Sequence, residues 1–277
     1  MIVDHRFVFV GGLHRSGTTL VADLIAGHPE VTGLSGTDVP MDEGQFLQKV
    51  YPPAGTKRTL WPIRYLDPVA PDFLTQRGYG GPGRFGFDPG SWLTEESPLA
   101  TQENARKVFT AWKPYLDLSR PIVIEKSPPN LVRTRFLQKL FPNSQFVIIL
   151  RHPVAVSYAT RIWTNIRPMY YMFKHWVHCH RVFDQDRAQL HNVMVVHYEH
   201  LVSDPERCLS SIYDFLNISY TDPKVKISTD ANKKYFSKWN VEMSSSSVRR
   251  KYAEFLQKTF SEDFNRYGYD LNIPLDI

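Results

Sequence analysis

The residues with the clearest chemical purpose stand near the start of the chain, in Gly12-Leu13-His14-Arg15-Ser16-Gly17-Thr18-Thr19. Before them Ile2 to Val10 is a short apolar run rich in β-branched and aromatic residues, which reads as a buried strand. After them Leu20 to Ala26 has the apolar spacing of a helix packed on a sheet. Strand, glycine loop and helix together form a phosphate cradle. Glycines let the backbone approach an anion, and the free amides and positive dipole end of the helix point at it. The spacing Gly12-x4-Gly17 is that of a P-loop, but Thr18 stands where a nucleoside triphosphatase carries lysine. Thr18 and Thr19 keep the hydroxyls and lose the cation, so the nearest strong positive charge is Arg15. The loop suits a 5′ group carrying less charge than a triphosphate.

A second cation sits where an anion is expected. Phe146-Val147-Ile148-Ile149-Leu150 is an apolar run of the parallel-sheet kind, and it ends in Arg151-His152-Pro153. P-loop enzymes often place a magnesium-binding aspartate at that strand end. Arginine there fits a ligand with an extra phosphate and no metal. Arg249-Arg250-Lys251 is the only concentrated basic cluster, and Asp38, Asp42 and Glu43 follow the first helix as candidate bases.

At these residues the sequence resembles the sulfotransferases, whose phosphosulfate-binding loop has a basic residue followed by Ser-Gly-Thr-Thr. The resemblance implies 3′-phosphoadenosine 5′-phosphosulfate (PAPS) as donor, a P-loop-like α/β fold, and no metal. It places Gly12, His14, Arg15, Ser16, Gly17, Thr18 and Thr19 on the cofactor. It places Arg151 on the 3′-phosphate, Tyr198 beside the adenine, Lys126 near the sulfuryl group, and Arg249 and Arg250 on a late loop closing over the 3′-phosphate. The family's 3′-phosphate serine falls at Ala159 here, and Ser157 and Thr160 are the nearest hydroxyls; Ser157 is assigned to the cofactor. The family's Lys-Thr-His segment reads Lys126-Ser127-Pro128, so that histidine is absent. Protein-tyrosine sulfotransferases use a glutamate shortly after the first helix, which points to Glu43 as base, with His14 second; Arg15 is assigned to the leaving group. The acceptor hydroxyl or amine belongs to a small molecule, a sugar or a peptidyl tyrosine. The resemblance covers about the first forty residues and Ile122 to Leu216 well.

The rest of the sequence must position these groups. At 277 residues and 42% hydrophobic, the chain has room for one domain with a full core. A net charge of +5, with basic residues spread out, suits an anionic cofactor better than a nucleic-acid track. Cys179 and Cys208 offer neither a disulfide framework nor a zinc motif. No stretch approaches a membrane helix, and no secretory signal is visible. A cytoplasmic enzyme is the simplest inference, though an excised luminal domain of a Golgi-type sulfotransferase would look similar.

Strands are expected at Ile2–Val10, Pro121–Glu125, Gln145–Leu150 and Asn192–Val196. Helices are expected at Leu20–Ala26, Gln102–Trp112, Leu131–Leu140, Pro153 to about Thr164, Tyr170–Leu190 and Pro205–Leu216, with another from Val248 through Tyr267. Alternating strands and helices imply a P-loop-like central parallel sheet flanked by helices. Residues just after Val10, Glu125 and Leu150 should then converge. From about 33 to 100 the pattern is lost among prolines, glycines and aromatics (Tyr51, Trp61, Tyr65, Phe73, Tyr79, Phe85, Phe87, Trp92). This irregular insertion is expected to form the wall and lid of an acceptor pocket. A nucleotide or small-molecule kinase would account for the loop alone. A non-catalytic nucleotide-binding module would leave the aromatic insertion without a purpose.

Overall fold

The computed structural model describes residues 4–54, 82–164, 168–222, 227–228 and 230–272. Its centre is a sheet of five parallel strands, β1 (Arg6–Gly12), β2 (Val31–Gly33), β3 (Ile122–Lys126), β4 (Ser144–Leu150) and β5 (Val193–His197), in the order β2-β3-β1-β4-β5. All four pairings are parallel, with β1 between β3 and β4; Val10 lies opposite Lys126 and Val147.

Side chains alternate across the sheet, and the two faces have different cores. Phe7, Phe9, Val123, Phe146 and Ile148 face one core, and Val8, Val10, Ile122, Ile124, Val147 and Ile149 face the other. The first core is covered by α3 (Gln102–Trp112), α4 (Thr134–Leu140), α5 (Pro153–Arg161), α6 (Met169–Arg187), α9 (Lys233–Ser244) and α10 (Ser247–Arg266). The second is covered by α1 (Thr18–Ala26), α7 (Tyr198–Ser203) and α8 (Pro205–Leu216). A further short helix, α2 (Gly44–Leu47), follows the first turn of the insertion. Local rules explain these elements. In α8, for example, Asp204 caps the Arg207 amide, Pro205 opens the helix, Asn217 closes it in the left-handed region, and Leu209, Ile212, Tyr213 and Leu216 are buried.

The expected strands and the α/β architecture are present. Three differences have physical causes. β2 is only three residues long, too short to show a period, and forms the sheet edge. The helix expected over Leu131–Leu140 is split into a 3-10 turn, Pro128–Val132, and α4, because Arg133 leaves helical geometry at φ −136°. Its buried guanidinium donates to the carbonyls of Ser91 (2.9 Å) and Pro52 (2.8 Å) and lies over the Tyr51 ring. Finally, the polar-looking stretch before Ser244 contains α9, whose Tyr235, Phe236, Trp239 and Met243 are buried.

Within the insertion, Tyr51 and Phe85 are buried, Phe87 is half-buried and Trp92 is exposed. Trp61, Tyr65, Phe73 and Tyr79 lie outside the described residues. Arg133 therefore ties both described ends of the insertion to the domain, which is more than a free loop would show. Among the described residues no helix is long and apolar enough to cross a membrane.

Phe9 is fully buried against Phe7, Trp112, Phe141 and Phe146. Replacing it with alanine removes an aromatic core that four rings share, so Phe9→Ala should lower unfolding free energy by about 3–5 kcal/mol in denaturant titration.

Candidate active site

The carboxyl ends of β1, β3, β4 and β5 carry the loop Gly12–Thr19, Lys126, Arg151 and Tyr198, where the geometry of parallel sheets places a ligand. β1 runs into the loop without room for side chains. A Cβ on Gly12 would lie 2.7 Å from the Ile149 carbonyl oxygen. Ser16 folds back to donate its hydroxyl to the Leu13 carbonyl (2.6 Å). Gly17 then starts α1 at φ 107°, and no side chain caps the helix. The first-turn amides consequently have no partner from the helix itself, which is the arrangement that binds an anion. Thr18 is buried and Thr19 half-buried at this opening.

Arg15 is itself in the left-handed region at φ 69°. Its guanidinium is exposed and rests 5.0 Å from the ring centroid of Trp163, a side chain 58% exposed. Trp163 was not identified from the sequence. Its signal was only a tryptophan at the end of a helix, and nothing in spacing showed that this helix end meets the loop.

Arg151 lies at the end of β4 and is 7% exposed. Its Nε donates to Asn232 Oδ1 (2.8 Å), its Nη1 to the Arg15 carbonyl (2.9 Å), and its Nη2 to the Ala231 carbonyl (3.4 Å). Its plane stacks 4.0 Å from the centroid of the Tyr198 ring, the residue that opens α7. Among the described residues no carboxylate pairs with this buried cation. Burial, the largest influence, lowers its pKa. One α5 turn away, Ser157 Oγ is fully buried with no hydrogen-bond partner, while Thr160 Oγ1 reaches the His14 carbonyl at 3.4 Å. A buried cation without a paired carboxylate, and a buried hydroxyl without a partner on the helix that follows it, suit a phosphate group. Arg249 and Arg250, by contrast, are not brought to this point. Arg249 pairs with Glu242 on α9 (3.2 Å) and Arg250 donates to the Ser244 carbonyl.

The third group forms around β3. Glu125 is wholly buried and accepts from the Gly44 amide (2.9 Å), the Ser127 hydroxyl (2.6 Å) and Asn130 Nδ2 (2.7 Å). Burial, the dominant cause, raises its pKa despite those donors. Sequence reading took Glu125 as a strand terminus. A carboxylate closing an apolar strand was the available signal. By holding the Gly44 amide, Glu125 fixes the preceding turn, Pro40–Asp42, in which Met41 and Asp42 are both left-handed at φ 56° and 51°. That turn presents the Met41 carbonyl to Lys126 Nζ at 2.8 Å and seats Glu43 Oε1 3.8 Å from the same nitrogen. Gln45 Nε2 donates to the other Glu43 oxygen at 2.7 Å.

Burial is the main reason the Glu43 pKa rises to about 7, against the opposing pull of Lys126 and Gln45. His14 moves the other way, to about 4, through burial first and then Lys126. Its Nδ1 is buried without a hydrogen-bond partner and its ring meets Phe85 edge-on. At neutral pH Glu43 is poised to accept a proton, whereas His14 is neutral and a weak base. Asp42 is occupied by the Thr37 amide and hydroxyl, and Asp38 is exposed. Among the described residues no group of three or more His, Cys, Asp or Glu is arranged to hold a metal.

A phosphate cradle without a P-loop lysine, joined to a buried arginine and lysine at the ends of parallel strands, defines a protein of the P-loop-like α/β class. The sequence matches the family described as "Sulfotransferase family" over residues 8–222, and the chain belongs to that family. Protein-tyrosine sulfotransferase 2 of Gallus gallus is 23% identical over 234 residues, covering 79% of this chain and 55% of that protein. A Caenorhabditis briggsae protein named in the same class is 24% identical over 230 residues, covering 78% of this chain and 67% of that protein. The chain thus spans about half the length of the chicken relative. Sulfotransferase STF9 from Mycobacterium avium has the same fold, with a TM-score of 0.52 at 17% identity over 98% of this chain and 79% of that one. The family and fold expected from the resemblance at Gly12–Thr19 and Arg151 are therefore borne out.

A Cβ on Gly17 would come within 2.7 Å of the Tyr198 ring as well as in a backbone region that side chains avoid. Gly17→Ala should therefore lower the melting temperature and weaken adenosine 3′,5′-bisphosphate binding together, measured by thermal unfolding and calorimetric titration. A variant that loses neither would show that the loop does not have the close packing described.

Proposed function

We propose that the protein transfers a sulfuryl group from PAPS to an acceptor hydroxyl, with a phenolic hydroxyl such as that of peptidyl tyrosine as the first candidate. The observation that carries this reading is Arg151, a buried cation with no paired carboxylate among the described residues and with unused donors, bonded to the backbone of a P-loop-type loop that lacks lysine. That combination suits an adenosine nucleotide with a separate 3′-phosphate. The family match and the names of the two relatives support the chemistry and the choice of tyrosine.

In this reading Gly12, Ser16, Gly17, Thr18 and Thr19 hold the 5′ end, and Arg151 and Ser157 hold the 3′-phosphate. Tyr198, already stacked on Arg151, borders the base. The bound phosphosulfate supplies the electrophilic sulfuryl group. Glu43 accepts the acceptor's proton on a carboxylate oxygen. Lys126 holds Glu43 by its Nζ and supplies positive charge at the reacting centre. Arg15, on the loop, stabilises the charge left on the 5′-phosphate as the S–O bond breaks. His14, neutral and with Nδ1 unpartnered, supplies a hydrogen bond to the acceptor or donor in place of a proton-accepting role. Phe85 and Phe87 contribute an aromatic wall; Trp61, Tyr65, Phe73 and Tyr79 lie outside the described residues.

Three outcomes test this. Arg15→Ala should reduce turnover about 10²–10³-fold for every acceptor, as loss of a preorganised charge does. Glu43→Gln should cost about 10²–10⁴-fold for a weakly acidic acceptor and much less for phenols made acidic by electron-withdrawing groups. A uniform loss across such a series would assign Glu43 to positioning. The pH profile carries an independent sign. Because the active form of Glu43 is the carboxylate, wild-type turnover should rise with pH through about 7, and Glu43→Gln should lack that arm. The same raised pKa means that the protonated carboxyl favours folding. Its stability contribution is full below the ordinary glutamate pKa of about 4.3, and is lost as pH rises to about 7.

A further inference from the structure

Arg151 is buried, yet its nearest anion does not touch it. Glu199, one residue after Tyr198, accepts from Asn232 Nδ2 at 2.7 Å, and Asn232 Oδ1 accepts from Arg151 Nε at 2.8 Å. Only one orientation of the Asn232 amide satisfies both partners: nitrogen toward the carboxylate and oxygen toward the guanidinium. Glu199 is fixed in turn. Its Oε1 also accepts from the His152 amide (3.0 Å), and its Oε2 accepts from the Tyr269 hydroxyl (3.0 Å). Tyr269 is buried beyond α10 and its hydroxyl also meets His197 Nδ1 at 3.1 Å. The line Tyr269–Glu199–Asn232–Arg151 therefore joins the segment after the last helix to the cation at the end of β4.

We propose that Asn232 and Glu199 are positioning residues that supply Arg151 with a counter-charge at one remove, so that it stays charged and fixed in plane while its remaining donors face the cofactor's 3′-phosphate. The proposal rests on the assignment of Arg151 made above. The physical reason concerns what a direct ion pair would do. A carboxylate in contact with Arg151 would offset its burial but would also compete with the phosphate for the same fork of donors. An amide spacer transmits part of the favourable field and uses only Nε. The bonds from Nη1 and Nη2 to the Arg15 and Ala231 carbonyls leave a further hydrogen on each terminal nitrogen. Tyr198 and Tyr235, at 4.0 and 5.7 Å from the guanidinium carbon to their centroids, limit its swing. The chain also sets the discrimination between nucleotides with and without a 3′-phosphate, because only the former reaches Arg151's free donors.

The test compares affinities for adenosine 3′,5′-bisphosphate and AMP by calorimetry in wild type, Asn232→Ala, Asn232→Asp, Glu199→Gln and Tyr269→Phe, with melting temperatures recorded alongside. AMP lacks the 3′-phosphate, so its affinity reports the integrity of the rest of the site. Asn232→Asp is nearly isosteric but places a carboxylate on Arg151 Nε. It should reduce bisphosphate affinity by roughly tenfold or more while AMP changes little, the scale of one hydrogen bond to a charged group. Asn232→Ala and Tyr269→Phe should reduce the bisphosphate-to-AMP ratio in the same direction by smaller factors. Glu199→Gln should do so as well, because it removes the counter-charge. Equal losses for both ligands would reduce the network to a structural role and overturn the proposal. So would a wild-type ratio in Asn232→Asp. A wild-type protein that binds the two ligands equally would overturn the Arg151 assignment itself, and a discriminating wild type with unaffected variants would overturn only the relay.

Discussion

The burial of the Arg151 guanidinium is the interaction on which the other parts of the site converge. Taking an arginine out of water costs on the order of several kcal/mol unless its donors are met. Here they are met by backbone and amide oxygens from the phosphate loop, from residues 231–232, and by the face of Tyr198. The carbonyl of Arg15, in the left-handed region, is one of those partners. The cation therefore holds the loop, the start of α7 and the start of α9 to the end of β4. None of these partners carries a negative charge, and that leaves an anion's place on the cation.

Glu125 has a similar role on the other side of β1. It is buried at the end of β3 and its three donors come from the residue after Glu43, from Ser127 and from Asn130. Asn130 also donates to the Val10 carbonyl at 3.1 Å, so β1 and β3 are joined beneath the turn that carries Glu43. Trp112 Nε1 donates to the Gly44 carbonyl at 2.9 Å from α3. The strained turn at Met41 and Asp42 is thus over-determined by its surroundings, which is the condition under which such strain persists. Its result is a glutamate and a lysine in contact, at the carboxyl edge of the sheet, with the glutamate's proton affinity near neutrality. Two buried side chains, Arg151 and Glu125, each tied to a different loop, keep the donor side and the proton-accepting side of the site in fixed relation.

Much of this was legible in the sequence because the signals are local. Apolar runs of parallel-sheet type gave β1, β3, β4 and β5. The Gly12–Gly17 spacing gave the loop, and the cation after Leu150 marked the strand end that meets it. Amphipathic spacing from Pro205 to Leu216 gave α8. What was hidden depends on contacts between residues far apart in the chain. Nothing near Trp163 shows that it meets Arg15, and Asn232 sits in a polar stretch whose partner, Glu199, lies on another helix. Glu43 was chosen by position after the first helix, yet its raised proton affinity comes from burial, against the opposing pull of Lys126, and spacing reveals neither. Arg249 and Arg250 show the converse limit. A basic cluster is visible in sequence, but these side chains are used by Glu242 and the Ser244 carbonyl.

The central claim is that the loop and Arg151 together recognise a nucleotide by a 3′-phosphate without a metal. The most direct measurement is the thermal stabilisation of the purified protein by saturating adenosine 3′,5′-bisphosphate in chelator, beside that by ATP with magnesium. A ligand that binds only the folded state raises the melting temperature by an amount that grows with the logarithm of its concentration over its Kd. The account predicts a clear upward shift with the bisphosphate alone and a smaller one with magnesium ATP. A larger shift with magnesium ATP, and none with the bisphosphate, would contradict it and return the site to the phosphoryl-transfer class.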